Sequence, residues 1–296
     1  MSASGTTYVC RFCRMATDPA QPACAHCGAP VDVRAVVSDS GWQEQPPIRD
    51  MARIIFGQSR CQIEGKYVPV ADFDLRGAET VYFSHHSVLW SDPSVTMAPM
   101  PLAGGWNRVR AGLPLVMLQA SGPGHIALSE DAPGEIIALP LQAGQAVVVR
   151  EHRFLAATEA VRYTWQQAPV WYTTGTGNEQ QTHYPMGYNV DWFTADGRPG
   201  LLLLHAPGNT FIRDLAPGTS ILVQPTSLLY CDPSVDVNLH LEYPNQAGMY
   251  WSSNFSYRHI WLRLTGPGRV AVQSVFEREA EAEPITSSSW ATVAQW

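Results

Sequence analysis

The stretch "DLAPGTSILVQPTSLLYCDPSV", residues 214–235, is written twice more in the chain, as "DLRGAETVYFSHHSVLWSDPSV" at 74–95 and "PLQAGQAVVVREHRFLAATEAV" at 140–161. The three align without a gap. Leu75, Leu141 and Leu215 coincide, as do Val81, Val147 and Ile221, then Phe83, Val149 and Val223, then Leu89, Leu155 and Leu229, then Val95, Val161 and Val235. Many matched positions lie two residues apart, the period of strands with one buried face. Gly144 and Gly218 coincide and Gly77 falls one residue earlier, which predicts a turn in each copy. A second pair, "LQASGPGHIAL" at 118–128 and "LRLTGPGRVAV" at 262–272, reads as two strands joined by a tight Gly-Pro-Gly turn. Repeats of this size predict one β architecture used several times.

The repeat frames the reading of Asp92 and Asp232, each opening an identical "DPSV". Two aspartates in matched settings are either a catalytic pair or the same corner in two copies. Asp-Pro favours a turn, because the carboxylate can bond nearby backbone and Pro fixes φ. The middle copy carries Thr158 at this place, so the fold does not demand aspartate at every corner. The structural reading is preferred.

The chain has 296 residues, 45% hydrophobic and 15% charged, enough apolar content to bury a core. Its 23 Gly and 23 Pro agree with frequent turns and an all-β class. The net charge of -7 and the lack of any Lys/Arg run argue against nucleic acid as a partner. No basic start followed by an apolar stretch marks a signal peptide. No apolar run approaches the roughly 18 residues of a membrane helix. A soluble, cytoplasmic protein is expected.

Of six cysteines, four are gathered in "CRFCRMATDPAQPACAHC", residues 10–27. Cys10 and Cys13 form one Cys-x2-Cys knuckle, Cys24 and Cys27 another, with ten residues between them. Two knuckles supply a tetrahedral four-thiolate shell for one structural Zn²⁺. Residues 1–35 are too few to bury a self-sufficient core, so metal binding would supply folding free energy. The competing reading, a redox dithiol, does not account for a paired knuckle. His26 reads as a surface residue, and a closed four-sulfur site leaves no position for metal catalysis. Residues 36–50, around "SDSGWQEQPPIRD", read as a linker.

"MPLAGGWNRVRAGLPLVMLQASGPG" (100–124), "GPGHIALSEDAPGEIIALPLQAGQAVVVREHRFLAA" (122–157) and "HIWLRLTGPGRVAVQSV" (259–275) resemble the altered-inheritance-of-mitochondria family over residues 51–276. The resemblance implies a fold like that of the trp RNA-binding attenuation protein: pseudo-threefold β-sandwich or double-stranded β-helix repeats, here over 51–280. It also implies a homo-oligomer, a trimer foremost. The family has no established catalytic residues to carry over, and its mitochondrial members are linked to inner-membrane organisation. "IIFGQSRCQIEGKYVPVADFDL", 54–75, looks like the opening of a subgroup bearing an amino-terminal ribbon. RNA binding does not follow from a fold name.

Few residues suggest chemistry. His85 and His86 are adjacent, and neighbours on a strand face opposite sides, so they read as a polar loop or strand end, or as a ligand or metal contact if a bend brings them together. His240 and Glu242 share a strand face without a third ligand nearby in sequence. "TTGTGNEQ", 173–180, lacks the lysine and strand-to-helix context of a phosphate loop. Cys61 and Cys231 read as small buried hydrophobes. Residues 174–200 read as a long insertion whose Tyr184, Tyr188 and Trp192 either line a partner surface or pack inside. The tail, 281–296, turns Ser/Thr-rich and could dock through Trp290 and Trp296.

These readings converge on a non-enzymatic, oligomeric β scaffold with a structural zinc ribbon, serving protein–protein assembly, with peripheral membrane contact among its expected settings. The alternative is an enzyme or small-ligand binder using a cleft near His85, His86, Asp92 and Asp232.

Overall fold

The structure is a computed structural model that describes residues 53–100, 117–174, 181–242 and 259–275, with short pieces at 8–9, 16–18, 21, 25 and 41–44. Each aligned copy runs from the end of one strand through two more to the edge of a fourth, and a further pair completes a six-stranded unit. The first unit comprises Val70–Leu75, Thr80–Ser84, Val88–Ser91, Thr96–Pro99, Met117–Ser121 and Gly124–Leu128. The second comprises Glu135–Leu141, Ala146–Arg150, Phe154–Thr158, Val161–Gln167, Asn189–Ala195 and Gly200–Ala206. The third comprises Thr210–Leu215, Ser220–Val223, Leu228–Cys231, Asp236–Glu242, His259–Thr265 and Gly268–Gln273. No described residue lies in an α-helix.

Pairing repeats along with the strands. In every unit the sixth strand lies between the first and the third, and the fifth lies between the second and the fourth, all antiparallel. Each unit is therefore two small sheets. Alternating positions such as Ala71, Phe73 and Leu75 turn inward and are fully buried, each large side chain contributing about 1.5–3 kcal/mol. The turns after the first strands use the expected glycines, with φ of 66° at Gly77, 81° at Gly144 and 75° at Gly218, a region open to Gly without steric cost.

The units join edge to edge. The third strand of the second unit pairs with the second strand of the first, setting Ala156 opposite Phe83 and Thr158 opposite Val81. The third strand of the third unit pairs likewise with the second strand of the second, setting Tyr230 opposite Val149 and Cys231 opposite Val148. An aromatic stack of Tyr82, Phe154, Phe193 and Tyr163 spans the first junction, with successive centroids 5.1–5.4 Å apart.

Two expectations change in detail. Residues 189–195 and the strand from Gly200 belong to the second unit's body, so the insertion is shorter than 174–200; its described part is a hairpin of Tyr172–Thr174 and Gln181–His183 ending near Met186. Its turn at Asp196–Pro199 lacks the Gly-Pro-Gly motif, which hid the equivalence. Within the predicted linker, Gln43–Glu44 pairs with Phe211 and Ile212, and Trp42 packs on the third unit's core. That piece is docked. Arg53–Phe56 and Ser59–Glu64 extend the first unit's sheet.

Candidate functional site

The two DPSV corners hold the same structure. Asp92 opens a turn in which the Val95 N–H donates to the Asp92 carbonyl at 3.1 Å, and Val235 does the same to Asp232 at 3.0 Å. The carboxylates then reach across: the His125 N–H donates to Asp92 Oδ2 at 2.9 Å, and the Arg269 N–H donates to Asp232 Oδ2 at 2.7 Å. Thr158 fills the same post in the middle unit, its Oγ1 accepting from the Leu201 N–H at 3.0 Å. The requirement is an acceptor at the corner, met twice by a carboxylate and once by a hydroxyl. Glycine precedes each donor because the corner packs against it. A Cβ on Gly124, Gly200 or Gly268 would fall 2.5–2.8 Å from Ser94 Oγ, Val161 Cγ2 or Ser234 Oγ. Asp92 and Asp232 are thus spent on separate corners and form no pair.

His85–Ser87 is a 3-10 turn, matched in the third unit by Pro225–Ser227, and Ser87 and Ser227 each donate to the carbonyl three residues back at 2.7 Å. The histidine pair lies on a bend between two strands, within the polar loop or strand end that the sequence pattern suggested. His86 Nε2 stands 3.5 Å from Glu130, whose carboxyl is pushed up by burial despite that histidine. The cleft expected near His85, His86, Asp92 and Asp232 is not assembled by the described side chains. On the strand Asp236–Glu242, the Arg263 guanidinium donates to His240 Nδ1 at 2.9 Å, which occupies that nitrogen.

A charged cluster that the sequence reading did not single out lies beside the first corner. His125 Nδ1 is 3.1 Å from both oxygens of Asp72, and its Nε2 is 4.0 Å from Asp74. Arg60 and Gln62 close a pocket of about 140 Å³. Burial raises the Asp72 pKa against the His125 bond, while the Arg76 hydrogen bonds hold Asp74 low. The third unit shows what this cluster is: at the equivalent place Arg269 bridges to Asp214 at 2.7 and 2.9 Å. A basic side chain opposite a first-strand aspartate is a cross-strand pair, and the signal was present in the alignment of Asp74 with Asp214.

Both isolated cysteines are core residues. Burial pushes the Cys61 thiol far up and the Cys231 thiol up to about 12, so neither is a thiolate near neutrality. Cys10, Cys13, Cys24 and Cys27 lie outside the described residues, as do the tail 281–296 and its Trp290 and Trp296. Tyr8–Val9 pairs with Ala16–Thr17, two pieces that flank Cys10 and Cys13 in sequence.

Two surfaces stand out among the described residues. A cleft of about 420 Å³ opens between the first and second units, walled by Ile54, Phe56, Leu141 and Leu201 and rimmed by the Arg198–Glu159 ion pair. The other is formed by the ends of the row of units. Leu89 and Trp90 are 59% and 45% exposed, although their equivalents Leu155, Ala156, Leu229 and Tyr230 are at most 3% exposed. Leu222 is 44% exposed, although its first-unit equivalent Tyr82 is 2% exposed.

The model of the family described as Mitochondrial biogenesis AIM24 matches residues 61–275, which spans all three six-stranded units described above. The chain belongs to the AIM24 family. Among solved structures, this AIM24 chain is similar to protein SPYM3_0169 from Streptococcus pyogenes, known from an X-ray crystal structure, with a TM-score of 0.54 and 20% identity over 74% of this chain and 94% of that one. At that identity the likeness speaks to the fold alone. No curated protein matches the chain.

Proposed function

We propose that this AIM24-family chain is a non-enzymatic β scaffold that binds protein through its exposed sheet edges and carries a structural zinc ribbon at its amino terminus. The observation that carries the reading is the contrast at Leu89 and Trp90: apolar residues left open at the end of the row, where the second and third units bury their equivalents. Large exposed apolar side chains gathered on a strand edge mark interaction sites. Asp92 and Asp232, the aspartates that could have been a catalytic pair, support it too, since each spends its carboxylate on holding a turn. For the ribbon, support comes from the Cys-x2-Cys spacing and from the pairing of Tyr8–Val9 with Ala16–Thr17, which flank the first knuckle in sequence.

The test is affinity capture with the intact protein and with a Cys24→Ser/Cys27→Ser variant, after zinc content is measured by mass spectrometry. Retention of a partner by both forms, and its loss on Trp90→Glu, places recognition on the sheet edges. Loss with the cysteine variant alone moves recognition to the ribbon. A second reading, a binder of a small apolar ligand, has the 420 Å³ cleft in its favour. Co-purification of a stoichiometric small molecule lost on Leu201→Trp would favour it.

A further inference from the structure

We infer that a pocket between the second and third units binds a small neutral phenol, in the place that a tyrosine of the chain itself takes at the first junction. The site is separate from the sheet edges and from the 420 Å³ cleft, so it does not depend on the scaffold reading.

The first junction shows what the position holds. Tyr82 leaves the second strand of the first unit on the face that packs into the second unit's core, and it is 2% exposed. It lies opposite Ala157. Its ring stacks on Phe154 with centroids 5.4 Å apart, and its hydroxyl donates to the Val161 carbonyl at 2.8 Å.

The alignment that superposes Leu75, Leu141 and Leu215 puts Val148 at the place of Tyr82. The ladders agree, since Val148 lies opposite Cys231 as Tyr82 lies opposite Ala157. The rings of the first stack shrink as well: Phe154 corresponds to Leu228 and Tyr163 to Val237. Neighbouring side chains do not take up the difference. A pocket of about 200 Å³ opens there, lined by Val148, Cys231, Val235 and Val237. Val235 stands where Val161 stands at the first junction, and the Val161 carbonyl is the acceptor of the Tyr82 hydroxyl. The second junction thus keeps the form of a tyrosine socket and lacks the tyrosine.

The remaining lining narrows the ligand. An apolar cavity of about 150 Å³ takes a benzene ring, so the volume suits one ring. Trp192 lines the pocket, and an aromatic ring gains by stacking on an indole. Asp232 and Asp236 line it too, which disfavours an anion and favours the neutral phenol. Met186 of the hairpin arm walls one side and the third unit's corner the other, so the ring is a free molecule and not a tyrosine held on a partner's backbone.

The test is isothermal titration of the full-length protein with p-cresol, the tyrosine side chain as a free molecule. One site per chain is expected, with a Kd of about 1 mM, as suits so few atoms. Toluene, which lacks the hydroxyl, and N-acetyltyrosinamide, which carries the ring on a backbone, should each bind about tenfold or more weaker. Val148→Tyr supplies the chain's own phenol and should abolish p-cresol binding while thermal denaturation stays cooperative. Should that variant overfill the site and fail to fold, a p-cresol soak of wild-type crystals asks the same question: the ring should lie against Val148 and Trp192 with its oxygen on the Val235 carbonyl. No binding by wild type, equal binding of toluene, undiminished binding by a folded Val148→Tyr protein, or a soaked ring seated elsewhere overturns the inference. Tighter binding of N-acetyltyrosinamide than of p-cresol also overturns it, and gives the pocket to a partner's tyrosine.

Discussion

Replacing Thr158 by Val asks whether the corner acceptor is what the three units share. The two side chains have nearly the same shape, so packing is kept and only the hydroxyl goes. Thr158 is 6% exposed and Leu201 4%, and the Leu201 N–H donates to Thr158 Oγ1 at 3.0 Å. Water cannot readily replace the lost acceptor. Leaving a buried donor unpaired costs about 1–3 kcal/mol. In a domain of this size each kcal/mol lowers the melting temperature by about 2–4 °C, so a fall of roughly 2–12 °C is expected. Thr158→Ser keeps the oxygen and should fall less. Asp92→Ala removes an acceptor at a corner that is only partly buried, so solvent can partner the freed His125 N–H and the loss should sit near ~1 kcal/mol. Thermal denaturation of all four proteins decides the matter. If Thr158→Val melts with wild type, or if Thr158→Ser is as damaging as Thr158→Val, the corner argument is refuted.

Other consequences are equally direct. The Arg269 hydrogen bonds hold the Asp214 pKa below its ordinary value, so this stabilisation is complete at neutral pH and fades as pH falls through the acidic range. Both side chains are largely exposed, so Asp214→Asn should cost no more than about 1 kcal/mol at pH 7, and the difference should vanish near pH ~2–3 in urea titrations. Gly200→Ala places a methyl 2.5 Å from Val161 Cγ2; overpacking of this kind costs about 1–3 kcal/mol, whereas the same change at Gly197, with open space around it but φ of 71°, should cost less, about 1 kcal/mol of backbone strain. A thiol reagent should leave Cys61 and Cys231 unlabelled in the native protein, and a chelator should expose the four ribbon thiols without unfolding the β body, as read by mass spectrometry and circular dichroism.

The repeat was readable because a half-buried strand writes its burial with a period of two, and three copies written in one register reinforce one another. Leu75, Leu141 and Leu215 locate equivalent strands before any coordinate is known. The fifth and sixth strands of the middle unit were harder to see. Their turn runs through Asp196, Gly197, Arg198 and Pro199, and without Gly-Pro-Gly there was nothing to align. Asp92 and Asp232 gave their place but not their work, since the backbone donors they hold are 33 and 37 residues away, on strands whose pairing no local pattern fixes. The open edges were invisible for a different reason. Leu89 and Leu155 look alike in sequence, and only the count of neighbouring units tells which one is covered.

Hydrogen exchange of the wild-type protein, alone and with the partner that affinity capture retains, tests the central claim, that the β body recognises protein through its exposed sheet edges. The account predicts that amides of the exposed edge strand 88–91 gain protection in the complex, while the interior strands 154–158 and 146–150 stay protected throughout. Unchanged exchange at 88–91 would contradict it.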